Sequence, residues 1–163
     1  MLGRPTAMSV ELALYQPDIA ANTGTLLRLG ACLGVGVHLI HPAGFALTDR
    51  NLRRAGLDYL DRAILVEHAS FAAFDAWRQN ERRRLVLLTT KATVSAYDAS
   101  YQPGDVLLLG RESAGVPDAV AAGADLRLRL PMRPDLRSIN VAIAGAMILG
   151  EALRQTGRFR ELS

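Results

Sequence analysis

The sequence contains little cysteine and little histidine. Among its 163 residues, Cys32 is the only cysteine, and the three histidines, His38, His41 and His68, are scattered along the chain. A single cysteine cannot form an intramolecular disulfide, and these residues do not have the spacing of a zinc site, so we expect neither a disulfide nor a bound metal. This cysteine content is typical of a reducing compartment, and we expect a cytoplasmic protein.

Long hydrophobic runs are also missing. The first residues contain no apolar core of a secretory signal and no small-residue cleavage site. The most apolar stretch, residues 141–149, is far shorter than the roughly 20 residues of a membrane-spanning helix. The sequence therefore predicts neither secretion nor contact with a membrane.

Lysine is nearly absent, and arginine supplies almost all of the positive charge. Of 19 basic residues 18 are arginine, the exception is Lys91, and the formal net charge is +3. The arginines cluster within residues 50–62, 78–84 and 127–160, a pattern that suits binding to a phosphate backbone. From charge alone, a solvated helix face explains these clusters equally well.

Short β-rich runs alternate with helical patterns along the chain. Six runs are predicted to be strands, namely residues 10–15, 35–40, 63–66, 85–89, 106–109 and 126–130. Helices are predicted between them, including one over 71–80 that follows the N-cap candidate Ser70. Strands separated by helices indicate an α/β fold, here a mostly parallel six-stranded sheet with helices on both faces. We expect a single domain over residues 10–160, preceded by a loose extension at residues 1–9.

The predicted final helix, residues 139–156, follows the N-cap candidate Ser138 and has almost no polar side over its first turns. A helix that is apolar on all sides must be buried on all sides. In so small a chain the simplest solution is a homodimer whose interface includes this C-terminal helix. The alternative is a central core helix in a monomer.

Several common catalytic motifs are absent. No predicted strand is followed by G-x-G-x-x-G, so the sequence does not predict a dinucleotide site. The segment 110–117 has the glycine spacing of a phosphate-binding loop but lacks its Lys-Ser/Thr ending. Cys32 lies in an apolar helix and is expected to be a buried structural thiol. Phe71, Phe74 and Trp77 share one helix face, so we expect them in the core rather than stacked on bases.

Three polar loops remain at the ends of predicted strands, where α/β sheets bind ligands. In order and spacing they resemble the three motifs of the knotted SPOUT-class ribose 2′-O-methyltransferases. The motifs read Asn-Thr-Gly-Thr-Leu-Leu-Arg at 22–28, Leu-Leu-Gly-Arg-Glu-Ser-Ala-Gly-Val-Pro at 108–117, and Leu-Pro-Met-Arg-Pro-Asp-Leu-Arg-Ser-Ile-Asn-Val-Ala at 130–142. The resemblance covers about residues 10–157, and it extends to features of the small single-domain branch of that family at residues 14–24, 41–45, 52–59 and 88–91.

The resemblance implies a C-terminal trefoil knot, a homodimer, and S-adenosylmethionine as methyl donor. This branch methylates the wobble nucleotide, a cytidine or a 5-modified uridine, so the expected partner is tRNA, bound at its anticodon stem-loop, with leucine tRNAs as the expected substrates. The resemblance also implies that the donor lies against a set of residues at strand ends and in the third motif, which are Leu88, Gly110, Leu130, Met132 and Ser138.

Three residues are candidates for catalysis by the same resemblance. Arg28 matches the motif-one arginine that engages the reacting ribose. A guanidinium holds its proton too tightly to act easily as a base, so we interpret Arg28 as an electrostatic clamp on the developing oxyanion. The structural alternative is an arginine whose stem packs on an apolar helix. Glu112 would orient Arg28 or organise the loops, unless it only pairs with Arg111, and Asn140 is the third candidate.

For contact with RNA, the first candidates beside Arg28 are Arg53 and Arg54, followed by Arg154. The alternative is that these arginines form only ion pairs within the subunit, for example Arg54 with Asp58 at helical spacing.

Two other functions stay open. The chain could methylate another tRNA position or ribosomal RNA, or it could be a non-catalytic RNA-binding module. The presence of Arg28, Gly110, Ser138 and Asn140 argues against the non-catalytic module.

Overall fold

The computed structural model describes residues 8–163, so residues 1–7 of the predicted N-terminal extension lie outside the described part. The strands are β1 (Glu11–Tyr15), β2 (Val37–Ile40), β3 (Leu65–His68), β4 (Leu85–Leu88), β5 (Val94–Ser95), β6 (Val106–Leu109) and β7 (Leu126–Arg129). The helices are α1 (Ala20–Leu33), α2 (Arg50–Gly56), α3 (Phe71–Asn80), α4 (Asp118–Ala122) and α5 (Val141–Gln155), with 3-10 turns at Leu57–Arg62 and Arg158–Glu161.

All paired strands are parallel, and their spatial order is β3-β2-β1-β6-β4-β7-β5. Within residues 8–163 the sheet therefore has seven strands, and the prediction of six was wrong. The additional strand, β5, has only two residues, and it pairs Val94 with Leu128. A run of two residues is too short to show the alternation of apolar and polar side chains by which a strand is recognised in a sequence. These two residues form a strand because they pair with β7.

The prediction of helices on both faces is confirmed. One face of the sheet packs against α1, α2 and α5, for example through Leu107 and Leu109 of β6. The opposite face packs against α3 and α4, through Val106 and Leu108 of the same strand and Phe74 of α3. The central strands are therefore buried on both faces, as parallel strands usually are. Phe74 is fully buried, which confirms that the aromatic helix belongs to the core.

Two of the scattered histidines meet on the face covered by α3. His38 Nδ1 lies 2.9 Å from His68 Nε2, and His38 Nε2 lies 2.6 Å from Glu11 Oε2. Trp77 covers the pair, with its ring centroid 4.3 Å from that of His38. Within residues 8–163, no group of three or more His, Cys, Asp or Glu side chains is arranged to hold a metal ion.

Helix α5 begins later than predicted. Its N-cap is Asn140, whose Oδ1 accepts hydrogen bonds from the N–H groups of Ala142 at 2.9 Å and Ile143 at 3.2 Å, so the prediction of Ser138 as the cap was wrong. Asparagine and serine are comparable N-caps, so propensity could not decide between them. The predicted cap of α3 is confirmed, because Ser70 Oγ accepts from Ala73 N at 3.1 Å.

Helix α5 is buried on one side only. Ile148 and Leu149 are fully buried, whereas Ile143 is 57% and Met147 37% exposed. The single chain thus leaves part of this apolar helix uncovered, unlike the central core helix considered as an alternative. No helix within residues 8–163 is both long and apolar enough to span a membrane.

Cys32 is exposed on α1, so the prediction that it is a buried thiol was wrong. Helix α1 is apolar in sequence, but only one of its sides lies against the sheet, and Cys32 is on the other.

Candidate active site

A cavity of about 380 Å³ opens at the carboxyl ends of β4, β6 and β7. All five predicted donor-binding residues line it, namely Leu88, Gly110, Leu130, Met132 and Ser138. Two of the three catalytic candidates, Glu112 and Asn140, lie in its wall as well. The structure therefore brings together residues from all three loops at the edge of the sheet where parallel α/β proteins bind ligands.

The character of the wall suits a donor with a neutral base and ribose. Of the described residues that line the cavity, only Arg111 and Glu112 carry a charge. The rest of the wall consists of apolar side chains, small polar side chains and the backbone of three strand ends, including Leu88 and Leu130. Such a slot provides hydrogen-bonding groups in a mainly apolar setting, which is the usual composition of a small-molecule site.

Gly110 cannot be replaced without moving the backbone. A Cβ at this position would lie 2.7 Å from Gly115 Cα. The close approach is part of a tight loop, because Arg111 N–H donates to Gly115 O at 3.0 Å and Gly115 N–H donates back to Arg111 O at 2.9 Å. Gly115 has φ +65°, a conformation that favours glycine. The glycine spacing of residues 110–115 thus serves a closed loop beside the cavity.

Glu112 is held by groups from the segment after β1. Its Oε2 accepts from Asp18 N–H at 2.7 Å, and its Oε1 accepts from Asn22 Nδ2 at 3.4 Å. Asn140 Nδ2 in turn donates to Asn22 Oδ1 at 3.1 Å. The side chains of the first, second and third motifs are therefore joined in one hydrogen-bonded series that runs along the cavity wall.

Asp18 forms a second set of contacts in the same place. Its Oδ1 accepts from Arg111 Nε at 3.0 Å and from Arg111 Nη2, and its Oδ2 accepts from Ser113 N–H at 3.0 Å and Ser113 Oγ at 2.5 Å. The hydroxyl of Ser113 and the guanidinium of Arg111 lower the pKa of Asp18 to about 2. Arg111 therefore pairs with Asp18 and not with Glu112, which was one of the alternatives for Glu112.

The sequence reasoning missed both Asp18 and Asn22 as site residues. Asn22 opens the first motif and could have been selected from it. Asp18 lies in the segment 14–24 that carries part of the resemblance, but its role could not be read from the sequence, because it comes from loop contacts over more than 90 positions.

Arg28 does not line the cavity of its own chain. Its guanidinium carbon lies 4.8 Å from the ring centroid of Tyr59, in the 3-10 turn that follows α2. Arg28 lies almost two turns after Asn22 on α1, and side chains at this spacing point to different sides of a helix. The structure thus separates Arg28 from the other two catalytic candidates, Glu112 and Asn140.

The arginines predicted to contact RNA differ in their partners. Arg154 lies on α5 and donates to Glu151 Oε1 at 2.7 Å. This arginine therefore forms an ion pair within the subunit, which was the alternative to contact with RNA. Arg53 and Arg54 are exposed on α2, and within the described residues neither takes part in an ion pair, so the alternative pair with Asp58 does not form.

A second cavity of about 480 Å³ adjoins the first and shares four lining residues with it, Thr89, Thr90, Gly115 and Val116. Its charged lining residues are mixed in sign and include Lys91, Asp118 and Arg127. None of the predicted donor-binding or catalytic residues is among the described residues that line it, so we take the first cavity as the candidate active site.

Comparison with known proteins gives consistent results. The pattern of the SpoU rRNA Methylase family matches residues 9–150. A tRNA (cytidine(34)-2′-O)-methyltransferase of Ancylobacter novellus is 59% identical over 152 residues, which cover 93% of this chain and 96% of that protein. A solved structure concerning the 2-OH methylation of C/U34 on tRNA is 40% identical with a TM-score of 0.86, and the match covers 91% of this chain and 96% of that chain. An AdoMet-bound rRNA methyltransferase from Sinorhizobium meliloti is 26% identical with a TM-score of 0.84, over 92% of this chain and 57% of that one.

Proposed function

This chain belongs to the SpoU rRNA methylase family, and we propose that it transfers a methyl group from S-adenosylmethionine to the ribose 2′-hydroxyl of the wobble nucleotide of tRNA. The nucleotide is a cytidine or a 5-modified uridine, and leucine tRNAs are the expected substrates. The observation that carries the proposal is the meeting of all three motifs at one cavity, in a chain that is 59% identical to a tRNA (cytidine(34)-2′-O)-methyltransferase.

The five predicted donor-binding residues hold the donor in this proposal. The backbones of Leu88, Gly110 and Leu130 at the strand ends would hold the base and ribose, and Met132 and Ser138 would close the slot from the third motif. An AdoMet-bound rRNA methyltransferase with the same fold supports S-adenosylmethionine as the donor. When bound, the donor supplies an electrophilic methyl group on a sulfonium.

The chain's own residues must then activate and orient a poor nucleophile. The ribose 2′-hydroxyl loses its proton to water or to the neighbouring phosphate as its oxygen attacks the methyl carbon, and negative charge develops on that oxygen. We assign Arg28 to stabilise that oxygen and the neighbouring phosphate, since a fixed positive charge acts most strongly on charge that develops during the reaction. Because Arg28 lies against Tyr59 outside the cavity wall, this role requires the bound RNA or a second copy of the chain to bring guanidinium and cavity together.

Glu112 and Asn140 have a different place in this mechanism. Both oxygens of Glu112 already accept hydrogen bonds from the β1–α1 segment, which favours an organising role over proton abstraction. The amide of Asn140 is fixed between Asn22 and the first turn of α5, and it presents a polar group of fixed orientation beside the donor slot.

A homodimer through α5 is part of the proposal. Its support is the uncovered apolar side of this helix, where Ile143 and Met147 are exposed. Ala144, in contrast, is 8% exposed and packs inside its own chain. The interface is therefore expected on the Ile143 side of the helix, and sedimentation velocity measures whether it forms.

The remaining elements of the proposal are the knot, the binding mode and the compartment. Three loops that meet at one cavity are compatible with a trefoil knot in the C-terminal half. Pulling the chain from both ends tests the knot, because a knotted chain would extend to less than its full contour length. Arg53 and Arg54 are exposed and available to the phosphates of an anticodon stem-loop. A tRNA substrate and a single free cysteine are in keeping with the cytoplasm.

The test is methyl transfer with labelled donor to tRNA and to ribosomal RNA, followed by mass spectrometry of nuclease fragments. We expect a 2′-O-methyl group at the wobble position of leucine tRNAs. Methylation at another tRNA position or on ribosomal RNA would replace the proposed substrate by that alternative. Binding of tRNA without methylation, under conditions where the donor is bound, would indicate the non-catalytic module.

A further inference from the structure

A clamp joins the loop that carries Glu112 to the segment that follows β1. We define the Asp18 clamp as the contacts of the Asp18 carboxylate with Arg111 and Ser113. These two partners are the residues immediately before and after Glu112 in the chain. Asp18 therefore holds both neighbours of Glu112 with its side chain, while its own N–H donates to Glu112 Oε2 at 2.7 Å.

The orientation of Glu112 comes from outside its own loop. The loop is closed at its base by the paired hydrogen bonds between Arg111 and Gly115, which leave residues 112–114 at its tip. The hydrogen-bond partners of the Glu112 side chain are Asp18 and Asn22, both in the segment that follows β1. Without the clamp, the tip would keep its closed base but lose the contacts that fix the direction of this carboxylate.

We propose that Asp18 is a positioning residue for methyl transfer, which it serves by fixing the carboxylate of Glu112 at the cavity wall. This inference rests on the proposed function and deepens it by adding a residue outside the three motifs. The series Glu112–Asn22–Asn140 then carries the effect from the clamp to the start of α5.

A purely stabilising ion pair is the competing explanation. The side chains of Asp18 and Arg111 are 22% and 33% exposed, and pairs with this degree of exposure usually add little to stability. Ser113 adds two further hydrogen bonds to the Asp18 carboxylate, at 3.0 and 2.5 Å, which a simple surface ion pair would not need. Because the pKa of Asp18 is near 2, the clamp is ionised throughout the pH range of any methylation assay.

The test compares Asp18→Ala and Asp18→Asn with the wild type in methyl transfer to tRNA. We expect kcat to fall by about 10-fold to 100-fold, since a small displacement of a catalytic group has effects of this size. The dissociation constant for S-adenosylhomocysteine, measured by calorimetry, should change by less than about twofold, because Asp18 does not line the donor cavity. Arg111→Gln should reproduce the loss of kcat from the opposite side of the clamp.

A double-mutant cycle separates positioning from stability. If Asp18 acts through Glu112, then Asp18→Ala should lower kcat no further in a Glu112→Gln background. Glu161→Ala is the matched control, because it removes another partly exposed carboxylate–arginine pair, with Arg158, and it should leave kcat unchanged.

Two results would overturn the inference while leaving the proposed function intact. One is an Asp18→Ala variant with wild-type kcat. The other is a double variant, Asp18→Ala with Glu112→Gln, in which the two losses of kcat multiply as independent effects would. A wild type that binds the donor but methylates no tRNA would instead refute the proposed function, and the role of Asp18 with it.

Discussion

Substitutions at Asn140 should separate the stability of the fold from activity. The two ends of this amide have different tasks. Oδ1 caps α5 by accepting from Ala142 and Ile143, and Nδ2 donates to Asn22 Oδ1 at 3.1 Å. Asn140→Ala removes both contacts, whereas Asn140→Asp keeps an acceptor for the cap but has no donor for Asn22.

The sizes of the two effects follow from these contacts. Loss of an asparagine N-cap costs about 0.5–2 kcal/mol. In a chain of this length each kcal/mol lowers Tm by about 2–4 °C, so Asn140→Ala should melt at a clearly lower temperature. Asn140→Asp should melt close to the wild type, because a carboxylate at a helix N-terminus gains about 0.3–1 kcal/mol from the helix dipole.

For Asn140→Asp we expect a loss of activity although the stability of the fold is kept. With aspartate at position 140, Asn22 would have a carboxylate on each side, the other being Glu112. An amide has one donor end and one acceptor end, so it cannot satisfy both carboxylates. We therefore expect Asn140→Asp to lose methyl transfer about as severely as Asn140→Ala, by about tenfold or more if the amide positions the reacting groups.

The control is Ser70→Ala, which removes the N-cap of α3 on the opposite face of the sheet. It should lower Tm by a similar amount without reducing kcat. Thermal melting by circular dichroism and a turnover assay on tRNA provide both quantities. An Asn140→Asp variant with full activity, or one as unstable as Asn140→Ala, would refute this assignment of the two amide ends.

Four further predictions concern other residues of the chain. Arg28→Ala should abolish methyl transfer while calorimetry finds nearly unchanged affinity for S-adenosylhomocysteine; retention of most of the rate would exclude its catalytic role. Met147→Glu should place a charge in the α5 interface and give a monomer in sedimentation velocity, and a monomeric wild type at micromolar concentration would rule the interface out. Combined replacement of Arg53 and Arg54 by Ala should flatten the salt dependence of tRNA binding by about one unit of slope per lost phosphate contact, and equal slopes would remove them from the RNA site. Burial and the neighbouring His38 lower the pKa of His68 below 6.5, so the unfolded chain binds a proton more readily than the folded chain does. The stability of the fold should therefore decrease as the pH drops below about 6.5. An equally steep decrease in the His68→Phe variant would contradict this cause.

The elements with strong local signals could be predicted from the sequence. The prediction for α3, residues 71–80, matches the structure because a good N-cap and a clear aromatic face occur together. Strand β6 was likewise predicted at its observed bounds, since an apolar run follows a Pro-Gly-Asp turn. Strand β5 could not be predicted, because its two residues are held by the edge of β7 rather than by their own propensity.

The burial of α1 and α5 shows where periodicity is insufficient. Both helices are so apolar that the sequence does not reveal which side faces the sheet. Cys32 was therefore placed inside although it is exposed, and Ile143 could not be distinguished from its buried neighbour Ala144. Side-specific burial depends on which strands lie underneath, and that order is a property of the whole sheet.

The donor cavity and the network beside it differ in how far they could be predicted. The cavity could be placed because the motifs that line it follow predicted strands, and the resemblance identified the donor-binding residues among them. The contacts of Asp18 and Glu112 could not, because each joins segments at least 90 positions apart and depends on the conformation of two loops. Arg28 is a third case: its motif identifies it, yet in the single chain its guanidinium packs on Tyr59 away from the cavity. The motif thus identifies Arg28 but not its placement, and in the proposed mechanism a bound RNA or a second subunit brings its guanidinium to the cavity.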